Sequence, residues 1–343
     1  MKKFLGFFVL CLLVNGAWGM REKRLEPDGG SEKELTVSAV ALKRRELSPI
    51  QQKELNSELL YLLKSKKSVE KYHHKLVQQL LECGADPNAG DDCPFVFAIQ
   101  KGKTFVDLLL KYGANPRLDD RYYAPITFAP DFATIQSLVR AGADINGVNR
   151  LNESILADVC GSVGFDLYAA VWLLSHDVDP NVGPTPDSLQ GKFAIHAALF
   201  DHDLAKVIAL LQHGARLNVK TKLLETPFQD AYRMWQYAGS IKEKEICLAQ
   251  YMLLRTIDAG MNNPAYKIDL FDSDPKTIEL AMVDRDNCPR LSHESAVLIG
   301  KAIDDVATAK AKADFDDLTY DHGNVTKFAL DCGLGSKRMH TRP

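Results

Sequence analysis

The sequence predicts an all-α chain built from repeated helix–turn–helix units and closed by a helical C-terminal region. Three observations carry this. The segment LLECGADPN (80–88) returns as LLKYGANPR (109–117), LVRAGADIN (138–146), LLSHDVDPN (173–181) and LLQHGARLN (210–218), with a weaker sixth copy, TIDAGMNNP (256–264). Its helix-stop positions are Gly84, Gly113, Gly142, Asp177, Gly214 and Gly260, at intervals of 29, 29, 35, 37 and 46 residues. Ahead of most stops stands a second recurring feature that opens a short helix: CPFVFAIQKG (93–102), APITFAP (124–130), FAIHAALFDH (193–202) and TPFQDAY (226–232). Recurrence on this scale marks a repeat array, in which one unit cannot bury its own apolar stripe and neighbouring units must cover it.

Taken in order, residues 1–19 read as a secretory signal: Lys2 and Lys3, the apolar run Phe4 to Val14, and Ala17-Trp18-Gly19 at a cleavage site after Gly19. The expected destination is export, periplasmic or secreted. No later segment approaches the roughly 18 to 20 apolar residues of a membrane helix, so no stable membrane insertion is expected after cleavage. Residues 20–47 are charged and include Pro27-Asp28-Gly29-Gly30, the composition of a linker. At Ser48-Pro49-Ile50-Gln51, a capping serine, a first-turn proline and a glutamine three residues on form a capping box. A helix to about Leu63 comes next, and a second runs from Ser68 to Glu82, ended by Gly84 in the left-handed conformation.

The repeat array spans 48–264 in about six units. Pro130 should cut short the first helix of the 124–142 unit. QYAGSIKEKE in the 226–260 unit should lengthen its helices or form a loop. Over 265–332 the pattern gives a helical cap. One helix is expected from Asp274-Pro275 to about Val283 and another from Ser292 to about Ala313, with Ile299, Ile303 and Val306 on one face. Residues 333–343 read as a disordered tail.

The two motifs resemble the ankyrin repeat family, whose units carry T-P-L-H-x-A at the first helix and L-L-x-x-G-A-D-x-N after the second. The resemblance covers about residues 50–264. It implies a helix–turn–helix solenoid that binds other proteins through its concave surface of turn tips and first-helix faces. His196 falls on the family's histidine position, which implies a local, structural hydrogen-bonding role.

A formal charge of −3 supplies no basic field for nucleic acid. There is no C-x-x-C, H-E-x-x-H, G-x-S-x-G or phosphate loop, so neither catalytic residues, metal nor cofactor is expected. His176, Asp201, His202 and Asp203 could in principle ligate a metal. His202 stands where the inter-helix reversal wants glycine, however, and its two aspartates are ordinary turn residues. The acidic DFDDLTYDHG (314–323) does not fit a calcium loop, since Leu318 takes the fifth ligand position.

Six cysteines lie beyond the signal: Cys83, Cys93, Cys160, Cys247, Cys288 and Cys332. Buried thiols account for most. Cys83 with Cys93, nearest in sequence, is the candidate disulfide. Trp172 and Trp235 are expected in the core. The remaining candidates are at the turn tips, where Arg121, Tyr122, Tyr123, Asn149 and Arg150 offer the residue types that anchor protein interfaces. The expected activity is therefore recognition of another protein by a monomeric, non-catalytic array. A self-associating scaffold and an enzyme seated in the C-terminal region are the alternatives.

Overall fold

The computed structural model describes residues 48–65, 70–90, 93–117, 124–162, 164–184, 191–221, 225–262 and 293–331. The fold is all-α: among these residues lie twelve α-helices, one 3-10 turn and no strand, with a single isolated bridge between Val148 and Ser154. The signal, the linker, the 274–283 helix and the tail lie outside the described residues. The chain divides into two compact units, Met1–Phe97 with Lys111–Ala114, and Ala98–Leu110 with Asn115–Pro343.

In the first unit, α1 (Pro49–Lys64) begins with the expected capping box, Ser48 accepting from the Gln51 amide and Gln51 reaching back to Ser48 N–H. It buries Leu55, Leu59, Leu62 and Leu63 against α2 (Glu70–Glu82), which contributes Val77, Leu80 and Leu81. Each such leucine is worth about 1.5 to 3 kcal/mol when buried. Gly84 ends this pair at φ 99°, a conformation that a Cβ penalises.

Next come α3 (Pro94–Gln100) and α4 (Lys103–Lys111), reversed at Gly102 with φ 93°. Cys83 and Cys93 are thiols and form no disulfide, which corrects that expectation. Cys83 sits at the helix stop, while the buried Cys93 thiol points at the Pro87 carbonyl, 3.6 Å away, so each is engaged in its own turn.

The second unit alternates short first helices with longer second ones. The first helix of the 124–142 segment is reduced to a 3-10 turn, Pro125–Phe128, ahead of Pro130. After it come α5 (Phe132–Arg140), α6 (Ile155–Gly161), α7 (Leu167–Ser175), α8 (Ala194–Phe200), α9 (Leu204–Gln212), α10 (Pro227–Tyr237), α11 (Ile241–Asn262) and α12 (His293–Asp331). Asp131, Ser154, Asp166, Asp203 and Thr226 cap helix N-termini through their side chains.

First helices pack on first helices, α6 on α8 and α8 on α10, and second helices on second helices, α7 on α9 and α9 on α11. The apolar faces of both layers meet in a core of residues such as Ile155, Leu156, Trp172, Leu199 and Leu210. α12 packs against α7, α9 and α11, burying Ile299, Ile303 and Val306 as their shared face predicts. It runs well beyond the expected end at Ala313.

The stops at Gly113, Gly142 and Gly214 have φ of 88°, 88° and 86°. Asp177 and His202, standing where glycine is expected, adopt the same left-handed backbone at 59° and 55°. Gly260 is different, because α11 passes through it to Asn262. Glycine permits the left-handed turn without compelling it. The sixth copy also lacks the G-A-D-x-N continuation that organises the turn elsewhere.

The turns after Gly84, Gly113, Gly142 and Asp177 share one construction. An Asp or Asn two residues after the stop accepts from the backbone N–H two residues further on: Asp86 from Asn88, Asn115 from Arg117, Asp144 from Asn146 and Asp179 from Asn181, all at 2.9 to 3.0 Å. The residue at the end of the motif then reaches the next turn. Asn88 donates to the Gly113 carbonyl at 2.9 Å, Arg117 to that of Gly142 at 2.6 Å, and Asn181 to that of Gly214 at 3.1 Å. Asn146 instead accepts from Asp179 N–H at 2.9 Å. Upstream of Gly84, where no motif precedes, α1 supplies both halves of the tie: Gln52 donates to the Gly84 carbonyl and Asn56 accepts from Asp86 N–H, each at 2.8 Å.

Candidate functional site

The turn before α6 holds two of the expected contact residues. Val148 pairs with Ser154 across it, and the Asn149 carboxamide oxygen accepts from Leu151 N–H at 2.7 Å and Glu153 N–H at 3.1 Å. Its amide nitrogen donates to the Glu153 carboxylate at 3.3 Å. Asn149 therefore builds the turn, with its polar atoms directed inward. Arg150 and Leu151 occupy the tip, where Arg150 is exposed and Leu151 retains 38% of its accessible surface. Gly191 lies against this tip, for a Cβ there would meet the Leu151 carbonyl at 2.2 Å. Arg121, Tyr122 and Tyr123 lie outside the described residues.

A second surface is not among the sequence expectations. On α10, Tyr232 is 40% and Tyr237 80% exposed, and Ile241 at the start of α11 is also exposed. Trp235, expected in the core, is half-buried and stacks on the buried Tyr251 with centroids 5.7 Å apart and planes within 6°. Tyr232 and Phe228 extend the cluster, at 5.3 and 5.1 Å from the Tyr251 ring. A signal for it exists in the chain: PFQDAYRMWQY spreads large aromatics along eleven residues in which Pro227, Asp230 and Ala231 are buried. Trp172, by contrast, is fully buried as expected.

The titratable clusters act as packing. Cys247 Sγ lies 3.3 Å from His202 Nδ1, and His202 Nε2 lies 3.4 Å from a Glu243 carboxylate oxygen. Thiol, imidazole and carboxylate are thus in line, the order a nucleophile and its base require. Yet Cys247 is fully buried, and that burial, with Glu243 adding, pushes its thiol up to about 11. It stays protonated and is a poor nucleophile at neutral pH.

His196 is fully buried and faces the equally buried Asp230 at 3.7 Å, between α8 and α10. Burial lowers the imidazole to about 4 and raises the Asp230 carboxyl, which Glu225 raises further and Arg233 opposes. Asp230 accepts from Arg233 at 2.7 Å, and Arg233 also meets Glu225 at 3.0 Å. The buried Lys206 is matched by Asp201 at 3.2 Å, Asp203 at 3.5 Å and the Phe165 carbonyl at 3.1 Å, so these two aspartates face a lysine.

Among the described residues, no three His, Cys, Asp or Glu side chains group so as to hold a metal ion, and no helix is long and apolar enough to cross a membrane. No protein-family model matches the chain, and no curated protein matches it.

Proposed function

We propose that the chain is an exported ankyrin-like repeat protein that binds another protein through its turn tips and first-helix faces and performs no chemistry of its own. One observation carries the reading. In the second unit up to α11, the exposed large hydrophobic side chains among the described residues are Leu151, Phe200, Tyr232, Tyr237 and Ile241. Leu151 is on a tip, Phe200, Tyr232 and Tyr237 are on the first helices α8 and α10, and Ile241 opens the second helix α11 four residues after Tyr237. Exposed aromatics of this kind, rimmed by polar residues such as Gln236 and Arg150, are the anchors of protein interfaces. The recurring stop, Asx turn and tie support the ankyrin-like assignment, and the family's binding mode uses this same surface.

The test is site-specific photocrosslinking in cells that export the chain. A photoreactive residue at Tyr237 or Leu151 is expected to trap the same protein, and one at Lys103 on the second helix α4 to trap none. Trapping from Lys103 alone would overturn the assignment of the face.

A further inference from the structure

Among the described residues, a cluster of polar and aromatic side chains lies away from the tips and first helices. On α5 and α7, Phe132 meets Tyr168 and Trp172 edge to face, each at 5.4 Å, and Trp172 stacks on His176 at 3.7 Å. The Arg140 guanidinium lies 5.7 Å from the centre of the Trp172 ring. This cradle receives two adjacent carboxylates from α12. The Trp172 indole N–H donates to Asp317 at 3.2 Å, while Arg140 and His176 approach the same carboxylate at 3.5 Å each. The Tyr168 hydroxyl donates to Asp316. That contact raises the Tyr168 hydroxyl above its ordinary range, with burial the larger cause.

The rest of α12 is held differently. Up to Ala313 it buries a stripe of Ala296, Ile299, Ala302, Ile303, Val306, Ala309 and Ala313. Beyond Ala313, through Asp317, no apolar side chain is buried, and Phe315 is exposed. The turn from Asp314 to Asp317 is therefore fastened by charge and hydrogen bonds alone, with Lys312 added over the Tyr168 ring at 4.1 Å. Arg140, His176 and Asp317 all keep part of their surface in water, where such contacts are weak and screened by salt.

We propose that the α5–α7 cradle is an interaction site for an acidic helix bearing two adjacent carboxylates, and that Asp316 and Asp317 occupy it as a resident, displaceable competitor. The charge complementarity is already visible in the molecule: a guanidinium, an imidazole, an indole N–H and a phenol converge on one pair of carboxylates. An incoming helix displaces α12 from Asp314 onward and leaves its apolar stripe through Ala313 docked.

The experiment uses the full chain and a fluorescein-labelled, end-capped peptide of residues 306–317. Wild type is expected to bind it weakly, and Asp316→Asn/Asp317→Asn to bind it at least ~ten-fold more tightly, a free-energy difference of about 1.4 kcal/mol. Adding Arg140→Ala, or changing Asp316 and Asp317 of the peptide to asparagine, removes the gain. Equal affinity for wild type and the double variant, or a gain insensitive to Arg140, would overturn the proposal. Should the double variant fail to fold, saturating peptide on wild type gives the same decision. It is expected to shift Trp172 emission in a Trp18→Phe/Trp235→Phe background and to speed amide exchange in residues 314–317. No change in either overturns the proposal.

Discussion

The side-chain amide of Asn181 donates to the carbonyl of Gly214, thirty-three residues later, at 3.1 Å. The same side chain accepts from Arg216 N–H at 2.8 Å, so one carboxamide fixes both ends of the next turn. Loss of two such bonds in Asn181→Ala is expected to cost about 1 to 2 kcal/mol. Asn181→Asp keeps only an acceptor, for Arg216, and should fall between. Urea unfolding of the three proteins, compared at constant slope, measures this.

Gly113 and Asp177 give opposite predictions from the same backbone. A Cβ built at Gly113 meets nothing within 4 Å, so replacement there costs only left-handed strain, about 1 to 2 kcal/mol for Gly113→Val. Asp177 already bears that strain at φ 59°. Asp177→Gly is expected to gain about 0.5 to 1 kcal/mol, the strain relieved less the entropy glycine adds to the unfolded chain. Thermal melts should move in opposite directions. A fall for both would refute the equivalence of the two stops.

The His196–Asp230 pair makes stability depend on pH in two opposed ways. The imidazole, at about 4 when folded, must charge on unfolding, so its contribution is complete above the unfolded value near 6.5 and is lost as pH falls toward 4. Asp230 is raised when folded, so its contribution is complete below the unfolded value near 3.8 and is lost as pH rises through the raised value. Asp230→Asn removes the second effect. Relative to wild type, the variant should gain stability between about pH 4 and pH 6 and level off above. A variant-minus-wild-type difference that stays flat over this range would contradict it.

The cysteines should react in order of burial. Burial pushes the Cys160 thiol up to about 12 and Cys247 up to about 11, whereas Cys83 is only half-buried at a helix stop. Of the four cysteines among the described residues, iodoacetamide at about pH 8 is expected to label Cys83 first and to leave Cys160 and Cys247 unmodified until unfolding. Peptide mapping reads the order. Rapid labelling of Cys247 would mean that His202 activates it after all.

Much of this architecture is legible because its instructions are local. A glycine at φ 88°, an aspartate or asparagine two residues later and a Ser or Thr cap act within a few positions, so LLKYGANPR and TPFQDAY announce their own turns. Asn149 is the converse case: in sequence it reads as an exposed polar residue, and only the bridge from Val148 to Ser154 brings Glu153 to its side chain. Trp235 and Tyr251 lie sixteen residues apart on different helices, and the length of the QYAGSIKEKE segment hides their stacking. Asp316 and Asp317 are still further from view. Their partners, Tyr168 and Trp172, are 148 and 145 residues away, and an acidic run carries no mark of what will receive it.

The ties to a stop carbonyl span 25 residues from Asn88 and from Arg117, but 33 from Asn181. Eight residues of difference are absorbed between contacts of one kind. The stretches between ties are consequently where this protein can acquire new sequence cheaply. Inserted segments there would alter the surface between turns while the carboxamide fastenings, and the leucines beneath them, go on as before.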